Sequence, residues 1–192
     1  MADLVFRYGA MSSGKSTALL QIVYNYERRG MKPALIKPAI DTKGALSVIS
    51  RTGINRKVDF ALDEKELVSE IVDKEKIDII VIDEAQFLTK EQVDDLFVLT
   101  KESDIPVLCY GLRTDFRLEG FPGAIRLLEL SDRIEELETI CKCGDKATIN
   151  LRFNKGVPTF EGDQVVIDNS DDITYDCVCG SCYLKAKQRY RK

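Results

Sequence analysis

A chain of 192 residues, 44% of them hydrophobic, can bury one sizeable core, or one core and a small appendage. Its net charge of −4 provides no whole-molecule field for nucleic acid or an anionic membrane, and no stretch approaches the roughly 20 apolar residues of a bilayer span. Histidine is absent, so a general base must come from a carboxylate or another group, and any metal site must be built from thiolates or oxygens.

The N-terminal "MADLVFRYGA" lacks the basic start, long apolar run and cleavage site of a signal peptide. The expected address is cytoplasmic, where clustered cysteines bind metal more often than they form disulfides. "LVFRYG" (Leu4 to Gly9) reads as a short buried strand. "GKSTALLQIVYNYERRG" reads as a helix with Leu19, Leu20, Ile22, Val23 and Tyr26 near one face and Gly30 as its stop. "KPALIKPAID" is a second strand and "IDIIVIDEA" (Ile77 to Ala85) a third, apolar enough to be buried on both faces. Thr89 is placed to cap the helix "KEQVDDLFVLTKE", and "IPVLCYGL" (Ile105 to Leu112) follows as another strand. Strands alternating with helices predict an α/β fold, a parallel sheet with helices on both faces. From about Glu138 the texture changes to cysteines, glycines and short alternating runs ("TINLRF", "QVVI"). That change divides the chain into residues 1–138 and a small unit, 139–192, which needs a staple or a metal to hold a core.

"GAMSSGKS" (Gly9 to Ser16) matches G-x-x-x-x-G-K-[ST] in full, after a strand and before a helix. Its backbone N–H groups can cradle a phosphate chain, Lys15 can reach the β- and γ-phosphates, and the Ser16 hydroxyl can ligate Mg²⁺. The chain is therefore expected to bind a nucleoside triphosphate, on a P-loop NTPase-like sheet. "VIDEAQF" places Asp83 and Glu84 at the carboxyl end of the most apolar strand, the edge where the phosphate loop also lies. Asp83 suits a metal-holding carboxylate. Glu84 is then free either to polarise a water or to accept a proton from a substrate hydroxyl.

The six cysteines sort by context. Cys109, within an apolar strand, is a small core residue. Cys141 and Cys143 form one cluster and Cys177, Cys179 and Cys182 another, together one thiol more than a tetrahedral zinc site uses. Read by spacing alone, Cys177 competes for a place in that site.

These motifs resemble the type II thymidine kinases, over nearly the whole chain. The resemblance rests on "GAMSSGKST", "KPAIDTK", "DEAQF", "YGLRTDFRLEGFPGA", "CKCGDKAT" and "GDQVVI…Y…CGSCY", the last two matching the family's zinc-bearing lasso. It implies transfer of the γ-phosphoryl of ATP to the 5′-hydroxyl of thymidine or deoxyuridine. It also implies a homotetramer and inhibition by thymidine triphosphate, while the expectation of no nucleic-acid partner follows from the acidic net charge. Carried over by motif, Glu84 is the catalytic base, and Ser16 and Asp83 hold Mg²⁺. ATP contacts fall on Gly9, Ala10, Met11, Ser12, Ser13, Gly14, Lys15, Ser16, Asp83 and Gln86. Met11, Phe87, Leu112, Phe116 and Phe121 match nucleoside-pocket positions, and Tyr175 matches the lasso tyrosine that closes over the base. The spacing Y-x-x-x-C-x-x-C from Tyr175 implies Cys141, Cys143, Cys179 and Cys182 as the structural zinc ligands, with Cys177 a bystander. The chain departs from the family at two places. "VVIDNSDDITY" lacks the usual Gly-Gly turn, and Asn150 stands where many members carry a small hydroxyl residue.

Two other classes are weighed against this reading. An ATPase or GTPase switch would need a base-reading motif and a water-positioning residue, and nothing resembling the guanine-reading N-K-x-D of GTPases is present. A nucleic-acid module would use "KAKQRYRK", which reads rather as a solvated or disordered tail.

Overall fold

A computed structural model of the chain describes residues 1–39, 47–51, 53–164 and 172–190. In chain order the first unit runs β1 (Leu4–Tyr8), α1 (Lys15–Arg28), β2 (Pro33–Pro38), β3 (Ser47–Ile49), β4 (Asn55–Lys57) and β5 (Phe60–Leu62). It continues with α2 (Val68–Ile71), β6 (Ile79–Ile82), α3 (Lys90–Glu102), β7 (Val107–Gly111), α4 (Pro122–Leu130) and β8 (Arg133–Glu136). The remainder is β9 (Thr139–Ile140), β10 (Lys146–Ala147), β11 (Ile149–Asn154), β12 (Val157–Thr159), β13 (Ile173–Val178) and α5 (Gly180–Tyr190).

Among the described residues, six strands form one sheet in the order β5-β2-β6-β7-β1-β8, every neighbouring pair parallel. Side chains alternate across a strand, and the central strands use both faces. Ile79 and Val81 of β6 join Leu19, Leu20 and Val23 of α1 on one side. Ile80 and Ile82 join Leu96 of α3 and Leu127 of α4 on the other. The expected two-sided sheet is therefore present. Thr89 caps α3 as expected: its hydroxyl accepts from Gln92 N at 3.2 Å while the Gln92 side chain accepts from Thr89 N at 3.0 Å.

Three helices were not anticipated, the single-turn α2 among them. The stretch "FPGAIRLLEL" is α4, begun by Pro122 at its first position. Its Gly123 reads as a loop residue, but it serves close packing, since a Cβ there would lie 2.6 Å from Leu88 O. The tail is solvated, as one of its two expected states, but it is helical rather than disordered as far as Tyr190, because Tyr183 anchors α5 by burying its ring. Its hydroxyl donates to Phe116 O at 3.0 Å. "QVVI" and "VVIDNSDDITY" lie partly, and the 40–43 part of "KPAIDTK" wholly, outside the described residues.

From Thr139 on, β9 and β10 form a ribbon and β12-β11-β13 an antiparallel sheet. This part packs on the first unit through Arg152 and Asn150. Arg152 is 3% exposed, and its guanidinium lies 3.7 Å from the centroid of the Phe116 ring. It donates to Tyr175 Oη at 2.9 Å, Asp163 O at 2.9 Å and Gln164 O at 3.3 Å. Arg152→Met keeps most of the volume but leaves these oxygens without their donor. The expected loss is ~2–4 kcal/mol in urea unfolding, with faster proteolysis of the segment after Thr139. A change below about 0.5 kcal/mol, the range of an ordinary surface substitution, would contradict this role.

Candidate active site

The strand order brings the carboxyl ends of β1, β7 and β6 side by side, and each delivers one part of the site. β1 runs into the phosphate loop, whose Gly9 N–H donates to Gly111 O at the end of β7, 3.3 Å away. The Lys15 ammonium donates to Gly9 O and Ala10 O, both at 3.0 Å, so it lies across its own loop. Burial is the largest influence on Lys15 and pushes its pKa below the ordinary lysine value, while Glu84 and Asp83 oppose it.

Beyond Ile82, Asp83 is 5% exposed and its N–H donates to Ile36 O at 3.0 Å. Burial, and then the neighbouring Glu84, push the Asp83 carboxyl up to about 6. Glu84 itself sits at φ 52°, a left-handed conformation unusual for a side-chain-bearing residue. Its carboxylate accepts from the Gln86 amide at 2.6 Å, and the same amide's oxygen accepts from Leu112 N at 2.9 Å. Gln86 is 1% exposed, so this bridge is shielded from water. Gly111 leaves room for it, because a Cβ there would lie 2.7 Å from Gln86 Oε1.

One cavity of about 320 Å³ is lined by Met11, Lys15, Ser16, Glu84, Leu112 and, from outside the recognised motifs, Arg51. Residues of the phosphate-loop motif, a carboxylate and an apolar wall thus face one space. Ser12 and Gly14 line it too, whereas the other expected nucleoside-pocket residues lie elsewhere. Phe87 borders a separate groove with Leu62 and Pro122 and meets Phe121 edge-on at 5.5 Å. Phe121 belongs to the main core, and Phe116 is 1% exposed beneath the Arg152 guanidinium. Tyr175, half-buried, is tied to Phe116 through that same guanidinium. Asn150 accepts from Met11 N at 2.7 Å, joining β11 to the phosphate loop. Sequence reasoning missed this clasp; the signal available was a single amide residue in an otherwise apolar run.

The sulfurs of Cys141, Cys143, Cys179 and Cys182 all lie within 4.8 Å of one another, with Cys143 and Cys179 at 3.5 Å. A tetrahedral zinc with Zn–S bonds of about 2.3 Å has sulfur–sulfur edges of about 3.8 Å, so this donor set fits that ion. Backbone N–H groups of Cys143 and then Cys179 hold the Cys141 thiol down at about 7, favouring the thiolate a metal needs. The Cys177 sulfur lies outside the group and faces Ile140 O at 3.8 Å. Cys179 and Cys182 flank the start of α5, a helix that follows antiparallel β13 rather than standing in a βαβ unit.

A family model described as thymidine kinase matches residues 2–183. The chain belongs to the thymidine kinase family. It is 46% identical to the thymidine kinase of Escherichia coli (strain K12) over 98% of this chain and 93% of that one. It is also 46% identical to the thymidine kinase of Legionella pneumophila (strain Lens), over 92% and 88%. Among solved structures, a Pif1 helicase from Candida albicans aligns with a TM-score of 0.43 at 15% identity, covering 72% of this chain and 36% of the helicase. Among the described residues, no helix is long and apolar enough to cross a membrane.

The buried acid in this family member has a consequence for stability. Because the folded-state pKa of Asp83 lies above the 3.8 of an ordinary aspartate, the folded protein holds this proton more tightly than the unfolded chain. Its contribution to stability falls as pH rises from about 4 to about 6 and stays low above that. In metal-free buffer, Asp83→Asn should match wild type near pH 4 and exceed it by about 1–3 kcal/mol at pH 7–8. Urea unfolding across that range measures it; a gap that does not change with pH would contradict the burial argument.

Proposed function

We propose that this chain is a thymidine kinase transferring the γ-phosphoryl group of ATP to the 5′-hydroxyl of thymidine, and of deoxyuridine. The observation that carries the reading is the cavity in which Glu84 faces the phosphate loop, in a chain whose family is known. Glu84 takes the proton of the attacking hydroxyl, and Gln86 holds its carboxylate in the position where it can do so. The loop N–H groups and Lys15 bind the triphosphate, with the Lys15 ammonium turning from Gly9 O and Ala10 O to the phosphates. Ser16 and Asp83 hold Mg²⁺, which when bound offsets phosphate charge and lowers the electrostatic barrier to an approaching nucleophile. Ionised Asp83 is costly in its buried setting, and a cation relieves that cost.

Met11 and Leu112 contact the nucleoside, Phe87 lies at the edge of its site, and Tyr175 closes over the base. Phe116 and Phe121 act from behind as packing, Phe116 by supporting Arg152 and hence Tyr175. Residues 1–138 do the chemistry, while residues 139–192 form a lasso whose ends are anchored by zinc on Cys141, Cys143, Cys179 and Cys182. A homotetramer, inhibition by thymidine triphosphate and a cytoplasmic location complete the reading.

Mg-ATP assays with each of the four deoxynucleosides test the activity. Thymidine should be converted to its monophosphate, and Glu84→Gln should lower kcat by about 10²–10⁴-fold while ATP binding persists. A Glu84→Gln enzyme of near wild-type rate rejects the base assignment. For the metal, elemental analysis should find one zinc per chain in wild type and Cys177→Ser, and loss of it in Cys182→Ser. The reverse pattern would reassign the ligands.

A further inference from the structure

The β3–β4 hairpin is held against α1 at two points. Val48 is buried with Leu19, Leu20 and Val23, and the Arg56 guanidinium pairs with Glu27 at 2.9 Å. Its tip is equally constrained. Ser50 N donates to Ile54 O at 2.8 Å, Ile54 N to Ser50 Oγ at 3.1 Å, and Gly53 N to Ser50 O at 3.0 Å. Strand alternation then decides where the side chains go. Val48 and Ser50 are 1% and 3% exposed and point inward, whereas Ile49 and Arg51 point the other way and line the phosphate-loop cavity. A pinned backbone thus presents a guanidinium to the space that also contains Lys15, Ser16 and Glu84.

Arg51 has no structural task that would account for this placement. Among the described residues it forms no ion pair, unlike Arg56 on the same hairpin, which is paired with both Glu27 and Asp59. Its charge is felt within the cavity, where it opposes protonation of Lys15 after burial and the two acids have acted. Two like charges directed at one space cost energy unless an anion joins them. A transferring phosphoryl group is such an anion. Its negative charge is spread over three oxygens, and a planar guanidinium with several N–H donors matches that geometry better than a point charge.

We propose that Arg51 is a catalytic residue that donates hydrogen bonds to the terminal phosphate of ATP, an arginine supplied by the same chain that stabilises the phosphoryl group in transfer. The proposal rests on the kinase reading above and adds a residue that the phosphate loop and the acidic pair do not contain. Arg51 approaches from the hairpin side of the cavity and Lys15 from the loop side, so the two cations grip the terminal phosphate between them. Glu84, on the same cavity wall, receives the acceptor proton.

Two measurements test it separately from the identity of the acceptor. Arg51→Ala should lower kcat with thymidine by about 10²–10⁴-fold, with Arg51→Lys intermediate because it keeps the charge and loses the fork. Equilibrium binding, which needs no turnover, should show Arg51→Ala weakening a non-hydrolysable ATP analogue at least about tenfold and ADP less than about threefold. Thermal unfolding and zinc content should match wild type, since Arg51 supports no packing. A wild type without thymidine turnover would defeat the kinase reading, and the difference between ATP analogue and ADP would still decide for or against Arg51. The inference is overturned by an Arg51→Ala enzyme within threefold of wild-type kcat, or by equal losses of ADP and analogue affinity.

Discussion

The bridge made by the Gln86 side chain is the constraint on which the rest of the site depends. One buried amide spans the ends of β6 and β7, donating to the Glu84 carboxylate and accepting from Leu112 N. A third strand joins through the Gly9 N–H on Gly111 O. Three carboxyl-terminal ends are thereby locked in register, and the strained φ of Glu84 persists because both of its neighbours in space are fixed. The Glu84 carboxylate is thereby held by protein contacts alone. Gly111 belongs to the same device, since a side chain there would occupy the place of the amide.

The small C-terminal unit answers a different constraint. Its two short antiparallel sheets have too little apolar surface to hold together unaided, and four sulfurs drawn to one point close its ends. Polar contacts help orient it on the first unit. Arg152 collects Tyr175, two carbonyls and the face of Phe116, while Asn150 takes the Met11 N–H from the phosphate loop. A buried guanidinium satisfied in this way confers orientation, because each donor must find its own acceptor. The loop after β1 and the C-terminal unit are therefore joined by a hydrogen bond at Asn150 and by Ala10, which packs in that unit's apolar cluster.

Sequence and structure agree most closely where periodicity and motif coincide. The four-residue run of β6 is buried throughout, as its unbroken apolar character requires, and the Thr89 cap is where the pattern places it. The phosphate loop and Asp83-Glu84 were legible because their spacing is a backbone requirement, independent of what surrounds them. The aromatic residues were not. Phe116 and Phe121 sit in a glycine-containing stretch that by itself suits core and pocket equally, and in the structure both rings are covered, one by an arginine 36 positions further along the chain and the other by the core. α4 was hidden for a similar reason, its Gly123 being selected by the carbonyls of the turn it packs against.

What the sequence by itself determined is local chemistry: a phosphate loop between a strand and a helix, two acids at a strand end, and thiols in a chain without histidine. Such features follow from a few adjacent residues and survive any arrangement of the remainder. The tertiary structure brought together the four thiols that the family resemblance implied, and it alone decided that Gln86 holds Glu84 and that Arg51 shares a cavity with Lys15. Each of these brings together groups from different elements. Their distances are set by how strands order within the sheet and how a hairpin docks on a helix, information that is spread over the whole packed core.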